Sequence, residues 1–268
     1  MSNPTPDLPH QIDTSVPHSA RFWDYLLGGK DNFAADREAV RQALQLQPDL
    51  REVARADRAF LARVVRFLAG EAGIRQFLDI GTGLPTVDHT HTVAQGIAPE
   101  SRTVYVDNDP IVLLHAQALL VGTEEGSTEY IDADARDVER ILAKATQTID
   151  FGQPVAVMML GILNFILDDD EAHAIVDRLL DAVPAGSYLA LAHPTAEVGG
   201  VKTEEAIQKL NETSATPQKL RSPRELARFM RRLEVLEPGV VSCSRWRPEP
   251  KGDACPDVLQ YCAVGRKV

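Results

Sequence analysis

Apolar positions follow two regimes along this chain, and the switch between them falls near Gly73. Before it, Ala20, Trp23, Leu26 and Leu27 recur at one-turn spacing, as do Val53, Phe60, Leu61, Val64, Val65 and Leu68, which predicts helices that each bury one stripe. Gly28-Gly29 and Pro48 interrupt the pattern, so residues 17–73 read as an N-terminal helical cap of about three helices. Residues 1–16 are proline-rich without periodic apolar character and read as a flexible tail. After Gly73, strand-like runs alternate with helical segments: 77–80, 103–106, 128–131, 155–160, 188–192, 235–242 and 258–264. Parallel neighbours need crossover connections, so this alternation predicts a doubly wound α/β sheet of seven strands over 74–268. The last connection carries Pro248, Pro250, Gly252 and Pro256 and no helical period, which predicts an antiparallel final strand. Two helix starts are legible. Asp109 before Pro110 is an N-cap carboxylate, and Ser222-Pro223-Arg224-Glu225 is a capping box.

Composition narrows the class. With 268 residues, 44% hydrophobic and 25% charged, the chain can bury a sizeable core without staples. No apolar run is long enough to cross a membrane and no signal-peptide pattern opens the chain, so a cytoplasmic protein with no membrane partner is expected. Cys243, Cys255 and Cys262 match neither a zinc nor a redox spacing and read as free thiols; no metal site is expected. A net charge of -11 disfavours a broad nucleic-acid-binding face. The group Arg221, Arg224, Arg228, Arg231 and Arg232 reads either as a local basic patch or as a solvated helix face.

Candidate chemistry sits at three strand ends. The first is Phe77-Leu78-Asp79-Ile80-Gly81-Thr82-Gly83, an apolar strand running into a glycine turn that lets backbone approach a ligand closely. The second is Val104-Tyr105-Val106-Asp107-Asn108-Asp109. The carboxyl ends of neighbouring parallel strands line one crevice, so Asp107 is expected to face the same ligand and to accept from ribose hydroxyls. The third is Tyr130-Ile131-Asp132-Ala133-Asp134-Ala135, where Asp134 and the Ala135 amide can read an adenine edge. Dinucleotide sites add a third glycine against the pyrophosphate; here that position is Thr86, after Pro85, which favours a ligand without phosphates.

The run from Asp79 through Gly83, with Asp107 and Asp134, is similar to the class I S-adenosylmethionine-dependent methyltransferases over about residues 73–268. The stretch Arg21-Phe22-Trp23-Asp24-Tyr25-Leu26-Leu27-Gly28-Gly29-Lys30-Asp31-Asn32-Phe33, together with Gly81-Thr82-Gly83-Leu84-Pro85-Thr86, resembles an actinobacterial methyltransferase family whose acceptors are largely unassigned. The resemblance implies a Rossmann-like fold and S-adenosyl-L-methionine as cofactor. It implies that Gly81 and Gly83 contact the cofactor, Thr82 lies near its carboxylate, Asp79 near its amino group, Asp107 at the ribose, and Asp134 with Ala135 at the adenine. Asn108, Gly161 and Arg21 complete the candidate cofactor-binding set. The segment Leu160 to Phe165 would line the methyl-transfer face, and its lack of an acidic or Asn-Pro-Pro-Tyr motif argues against an amino acceptor of the nucleic-acid type. A small-molecule acceptor is expected.

Other features carry competing readings. Gly28-Gly29-Lys30 lacks the Ser or Thr that a phosphate loop places after its lysine. Arg21, Tyr25, Lys30 and Asn32 read either as a lid over the cofactor or as a helix pair with a glycine turn. His89 and His91 make a poor metal pair and are expected to be exposed or capping. His193, at a strand end, and Tyr25 are the candidate catalytic residues, His193 as a general base. Two alternatives remain open at this point: a nicotinamide-dependent oxidoreductase, and a catalytically silent S-adenosylmethionine-binding protein.

Overall fold

In a computed structural model of the chain, the described residues are 13–84, 88–119, 122–212, 214, 216–248 and 256–268. Thr86, Cys255 and most of the proposed tail lie outside them. Three helices come first: α1 (Ser19–Leu27), α2 (Ala34–Leu46) and α3 (Leu50–Arg66), the last continuing as a wider π turn over Phe67–Glu71. Gly28 ends α1 with φ +86, a left-handed position that favours glycine. Gly29 has a different reason: a Cβ there would stand 1.8 Å from Asp24 Oδ1.

The α/β part then runs β1 (Gln76–Ile80), α4 (Thr90–Ile97), β2 (Arg102–Asp107), α5 (Pro110–Leu119), β3 (Ser127–Asp132), α6 (Val138–Ala145), β4 (Ala156–Leu160), α7 (Asp169–Ala182) and β5 (Tyr188–Pro194). It continues with α8 (Val201–Asn211), α9 (Pro223–Phe229), β6 (Glu234–Val235), β7 (Val241–Ser242) and β8 (Gln260–Arg266). The strand order is β3-β2-β1-β4-β5-β8-β6, with β7 also on β8. The first five strands pair in parallel and β8 runs antiparallel to β5, β6 and β7, as expected of the final strand. The expected strand over 235–242 is two short pieces. Pro238 cannot donate to a ladder, and Gly239, at φ +85, turns back to donate its N–H to the Leu236 carbonyl at 2.9 Å.

Side chains alternate across the sheet and feed two cores. Leu78, Ile80, Val104, Val106, Val157 and Met159 pack beneath α6, α7 and α9, whereas Phe77, Ala156, Met158, Ala190 and Cys262 face α3 and α4. Asp79 shares the parity of Phe77, so a carboxylate is carried into the interior below α3 and stays 4% exposed. Both predicted caps form: Asp109 Oδ1 accepts the Ile111 N–H at 3.0 Å, and Glu225 Oε2 accepts the Ser222 N–H at 2.7 Å. Cys243 and Cys262 are free and buried. Among the described residues no helix is long and apolar enough to cross a membrane.

The arginine group divides. Arg224 and Arg228 are exposed on α9, and Arg231 and Arg232 pair with Asp177 and Asp181 just beyond it, as a solvated face would. Arg221 departs from that reading. It is 1% exposed, and its guanidinium donates to the carbonyls of Leu163 at 2.8 Å and Ile166 at 2.7 Å, to His193 Nε2 at 2.9 Å and to Asp169 Oδ1 at 2.9 Å. It clamps the segment that follows β4.

Candidate functional site

The sheet register sets Ile80, Val106 and Ile131 side by side, so the loops after β1, β2 and β3 leave from one edge. Backbone bonds tie those loops together. Gly81 and Thr82 donate to the Val106 carbonyl at 2.8 and 3.3 Å, and Ala133 donates to the Asp107 carbonyl at 3.1 Å. Asp107 organises the turn: Oδ2 accepts the Gly83 N–H at 2.8 Å, and Oδ1 accepts those of Asn108 and Asp109 at 2.9 and 3.0 Å. Gly81 stands at φ +80, and a Cβ there would lie 2.7 Å from Ile162, so both dihedral and space require glycine.

Three adjoining cavities open along this edge. A narrow cleft of about 100 Å³ is lined by Asp79, Gly81, Thr82, Gly83, Asp107, Asn108 and Gly161. A second, of about 310 Å³, shares Gly81, Asp107 and Asn108 and adds Asp134 and Ala135. The third, of about 370 Å³, has walls from Phe22, Trp23, Leu50, Val53, Phe165 and Leu259. Ser19 and Phe165 line all three, and Gly161 lines the first and third. Nine of the ten residues expected to hold the cofactor therefore come together; the exception is Arg21.

Arg21 is buried beside this edge but points away from the cavities. It donates to the carbonyls of Asp13 and Val16 at 3.1 and 3.0 Å and lies 3.4 Å from Asp109 Oδ2 and 3.7 Å from Asp36 Oδ1. Its charge braces α1 against the starts of α2 and α5. The opposite stripe of α1, with Ser19, Ala20, Trp23, Asp24 and Leu27, lines the cleft, so this helix does roof the edge. Asp24 holds its connection by accepting from Asn32 Nδ2 at 2.7 Å and the Asp31 N–H at 3.0 Å. Tyr25 lines none of the cavities and packs under the Arg51 guanidinium, 5.6 Å from its ring centroid.

His193 lines none of them either. It is fully buried, with Nδ1 2.8 Å from the Pro194 carbonyl and Nε2 2.9 Å from Arg221 Nη1. Arginine can only donate, so Nε2 is the acceptor and Nδ1 carries the proton. Burial pushes its pKa down to about 4. Both nitrogens are occupied and the ring is neutral, so in this arrangement His193 offers no free nitrogen to a ligand. His89 and His91 are buried rather than exposed, and His89 stands at the N-cap of α4 without a capping bond from its side chain. They flank Tyr105, whose hydroxyl lies 2.8 Å from His91 Nδ1, and burial holds His89 down to about 3.

Sequence reasoning missed Asp57 and Arg58, which line the narrow cleft from α3. The signal was present: Asp57 falls on the apolar stripe between Val53 and Leu61, where a carboxylate has no packing purpose. Its Oδ1 accepts from Gln260 Nε2 at 3.3 Å, and Gln260 lines the third cavity, 3.5 Å from where a Cβ on Gly161 would lie. Asp57 and Gln260 thus span the wall between the two spaces.

Burial raises both Asp57 and Asp79 to about 6. The native state holds these protons more tightly than the unfolded chain does. The stability they contribute is complete below about pH 4 and is lost as pH rises through about 6. Each shift of roughly two units corresponds to at most about 3 kcal/mol. Asp57→Asn is therefore expected to raise the melting temperature of the ligand-free protein at about pH 8 and to leave it nearly unchanged at about pH 4. Calorimetry at the two pH values checks this, and an equal change at both would refute it.

Comparisons with known proteins identify the family. The model of the S-adenosyl methyltransferase family matches residues 6–268. A DUF574 family protein from Streptomyces avermitilis is 44% identical, with a TM-score of 0.92 over 96% of this chain and 100% of its own. A protein from Thermobifida fusca that carries a methyltransferase designation is 40% identical, with a TM-score of 0.88 over 98% of this chain and 99% of its own. Human N-acetylserotonin methyltransferase in complex with S-adenosylmethionine, at 12% identity, shares the fold with a TM-score of 0.50 over 86% of this chain and 57% of its own. No curated protein matches the chain. Nothing in these findings supports a nicotinamide-dependent oxidoreductase. This protein belongs to the S-adenosyl methyltransferase family, with S-adenosyl-L-methionine as its cofactor.

Proposed function

We propose that the protein methylates a small molecule in the cytoplasm, with the cofactor along the first two cavities and the acceptor in the third. The observation that carries this reading is the confluence of all three at Ser19 and Phe165. The residues present fit the cofactor by their chemistry. Asp107 faces both of the first two cavities and offers a carboxylate to a ribose, while Asp134 and Ala135 line the wider second cavity and offer an acceptor and an amide donor to an adenine edge. The narrow cleft holds two buried carboxylates, Asp57 and Asp79, that suit a cationic amine, beside a glycine turn whose amides suit a carboxylate.

When bound, S-adenosyl-L-methionine supplies an electrophilic methyl, which an acceptor lone pair takes while the carbon–sulfur electron pair stays on sulfur. The chain's own task is to align two reactants and exclude water. Alignment alone is worth up to about 7–11 kcal/mol, so a strongly tuned base is not required. The roof from α1 keeps water out, and Gly161 opens the wall between the narrow cleft and the acceptor cavity. Thermal shift tests the reading. Saturating S-adenosylhomocysteine at 100 times its Kd should stabilise the protein by about 2.7 kcal/mol, and NAD by nothing. Stabilisation by NAD alone would overturn it.

A further inference from the structure

The third cavity has a chemistry of its own. Its walls are largely aromatic and aliphatic, and its polar side chains are mostly uncharged: the buried amides of Asn164 and Gln260, with Asn211, Gln218, Ser19 and Thr216 half-buried. The carboxylate of Glu38, on its rim, is exposed and already bonded by Arg41 and Gln42, and His18 is paired with Asp109 at 2.9 Å. Among the described residues, no lysine or arginine lines it. A charged group carried into this space would lose its hydration and gain no opposite charge, so the cavity selects against ions.

One lining residue is left incomplete. Asn164 sits in the short 3₁₀ turn after β4 (Leu163–Phe165), is 3% exposed, and bonds Gln218 through Nδ2 at 3.3 Å, yet its Oδ1 has no partner among the described residues. A buried acceptor left unpaired costs about 1–3 kcal/mol, which a ligand supplying a donor would recover. Phe165 follows directly and reaches the junction with the cofactor cleft, so a donor held by Asn164 lies beside the place where the methyl is transferred.

We infer that the acceptor is an uncharged aromatic compound bearing a hydroxyl group, seated between Phe22, Trp23, Phe165 and Leu259 with that hydroxyl donated to Asn164. This rests on the cofactor reading above, and the test separates the two. β-Naphthol, β-naphthoate and naphthalene are titrated calorimetrically into the protein saturated with S-adenosylhomocysteine. β-Naphthol is expected to bind at least tenfold more tightly than either of the others. Asn164→Leu should reduce it to the affinity of naphthalene. Because Asn164→Leu can disturb the turn after β4, Ala39→Trp serves as a second variant. Ala39 lines only this cavity, so an indole there should abolish naphthol binding and leave S-adenosylhomocysteine affinity unchanged. Equal or tighter binding of β-naphthoate, a naphthol-to-naphthalene ratio that survives Asn164→Leu, or no binding of any probe overturns the inference while the cofactor reading stands. Failure of S-adenosylhomocysteine itself to bind brings down both.

Discussion

Asp107→Ala is expected to weaken S-adenosylhomocysteine binding by at least about tenfold. A ribose hydroxyl donating to the lone pair left on Oδ2 accounts for this, at roughly 1.5 kcal/mol or more for a bond to a charged acceptor. A second loss adds to it. The same carboxylate gathers the N–H groups of Gly83, Asn108 and Asp109, so its removal also slackens the turn that lines the cleft. Those donors face a half-exposed cleft where water can replace the carboxylate, and the fold should lose only about 1–2 kcal/mol. Asp107→Asn, which keeps one acceptor oxygen, should fall between. Calorimetric titration of the three proteins decides the matter; an affinity for Asp107→Ala within about threefold of the parent would remove Asp107 from the ribose site.

The largest effect on stability is expected at Arg221, which clamps the segment that follows β4. Arg221→Met keeps the length and apolar stem of the side chain but removes every donor from the carbonyls of Leu163 and Ile166, from His193 Nε2 and from Asp169. Truncating one partner of a buried, multiply bonded charge costs about 3–5 kcal/mol. For a chain of this size that lowers the melting temperature by about 10 °C. Arg221→Lys should recover little, because a lysine ammonium lacks the planar fork that reaches several acceptors at once. The segment released is the one carrying Asn164 and Phe165, so the third cavity should loosen as well. A melting temperature within about 2 °C of the parent would show that water satisfies these groups and that Arg221 is not the clamp.

Arg221 also shows where sequence reading reaches its limit. It stands among arginines that do face solvent, and nothing in the spacing separates it from them; only the crossover that brings it under β4 and β5 buries it. Arg21, Tyr25 and His193 teach the same lesson. Polar side chains near a ligand edge are needed to satisfy buried backbone and to brace helices, and sequence cannot tell that use from contact with a ligand. The strand-end signals were legible for a different reason. Gly81, Asp107 and Asp134 each follow an apolar run, and parallel pairing leaves no freedom in where the ends of neighbouring strands lie. The N-terminal helices were legible as helices, since Gly28 and Pro48 punctuate them. Amphipathic spacing names the buried face of α1 but not the surface that face packs against, and the roof over the cleft depends on that surface. Asp57 could have been found: a carboxylate on a buried stripe is a contradiction within the pattern itself. Strand 235–242 was misread because β-branched residues flank Pro238 and Gly239, and the turn chemistry outweighs them.

A crystal structure with S-adenosylhomocysteine bound tests the shared sheet-edge site most directly. The ribose is expected at Asp107, the adenine between Asp134 and Ala135, and the sulfur at the meeting point of Ser19, Gly161 and Phe165, open to the cavity of about 370 Å³. An adenosyl group lying in that third cavity, or a sulfur walled off from it, would refute this placement.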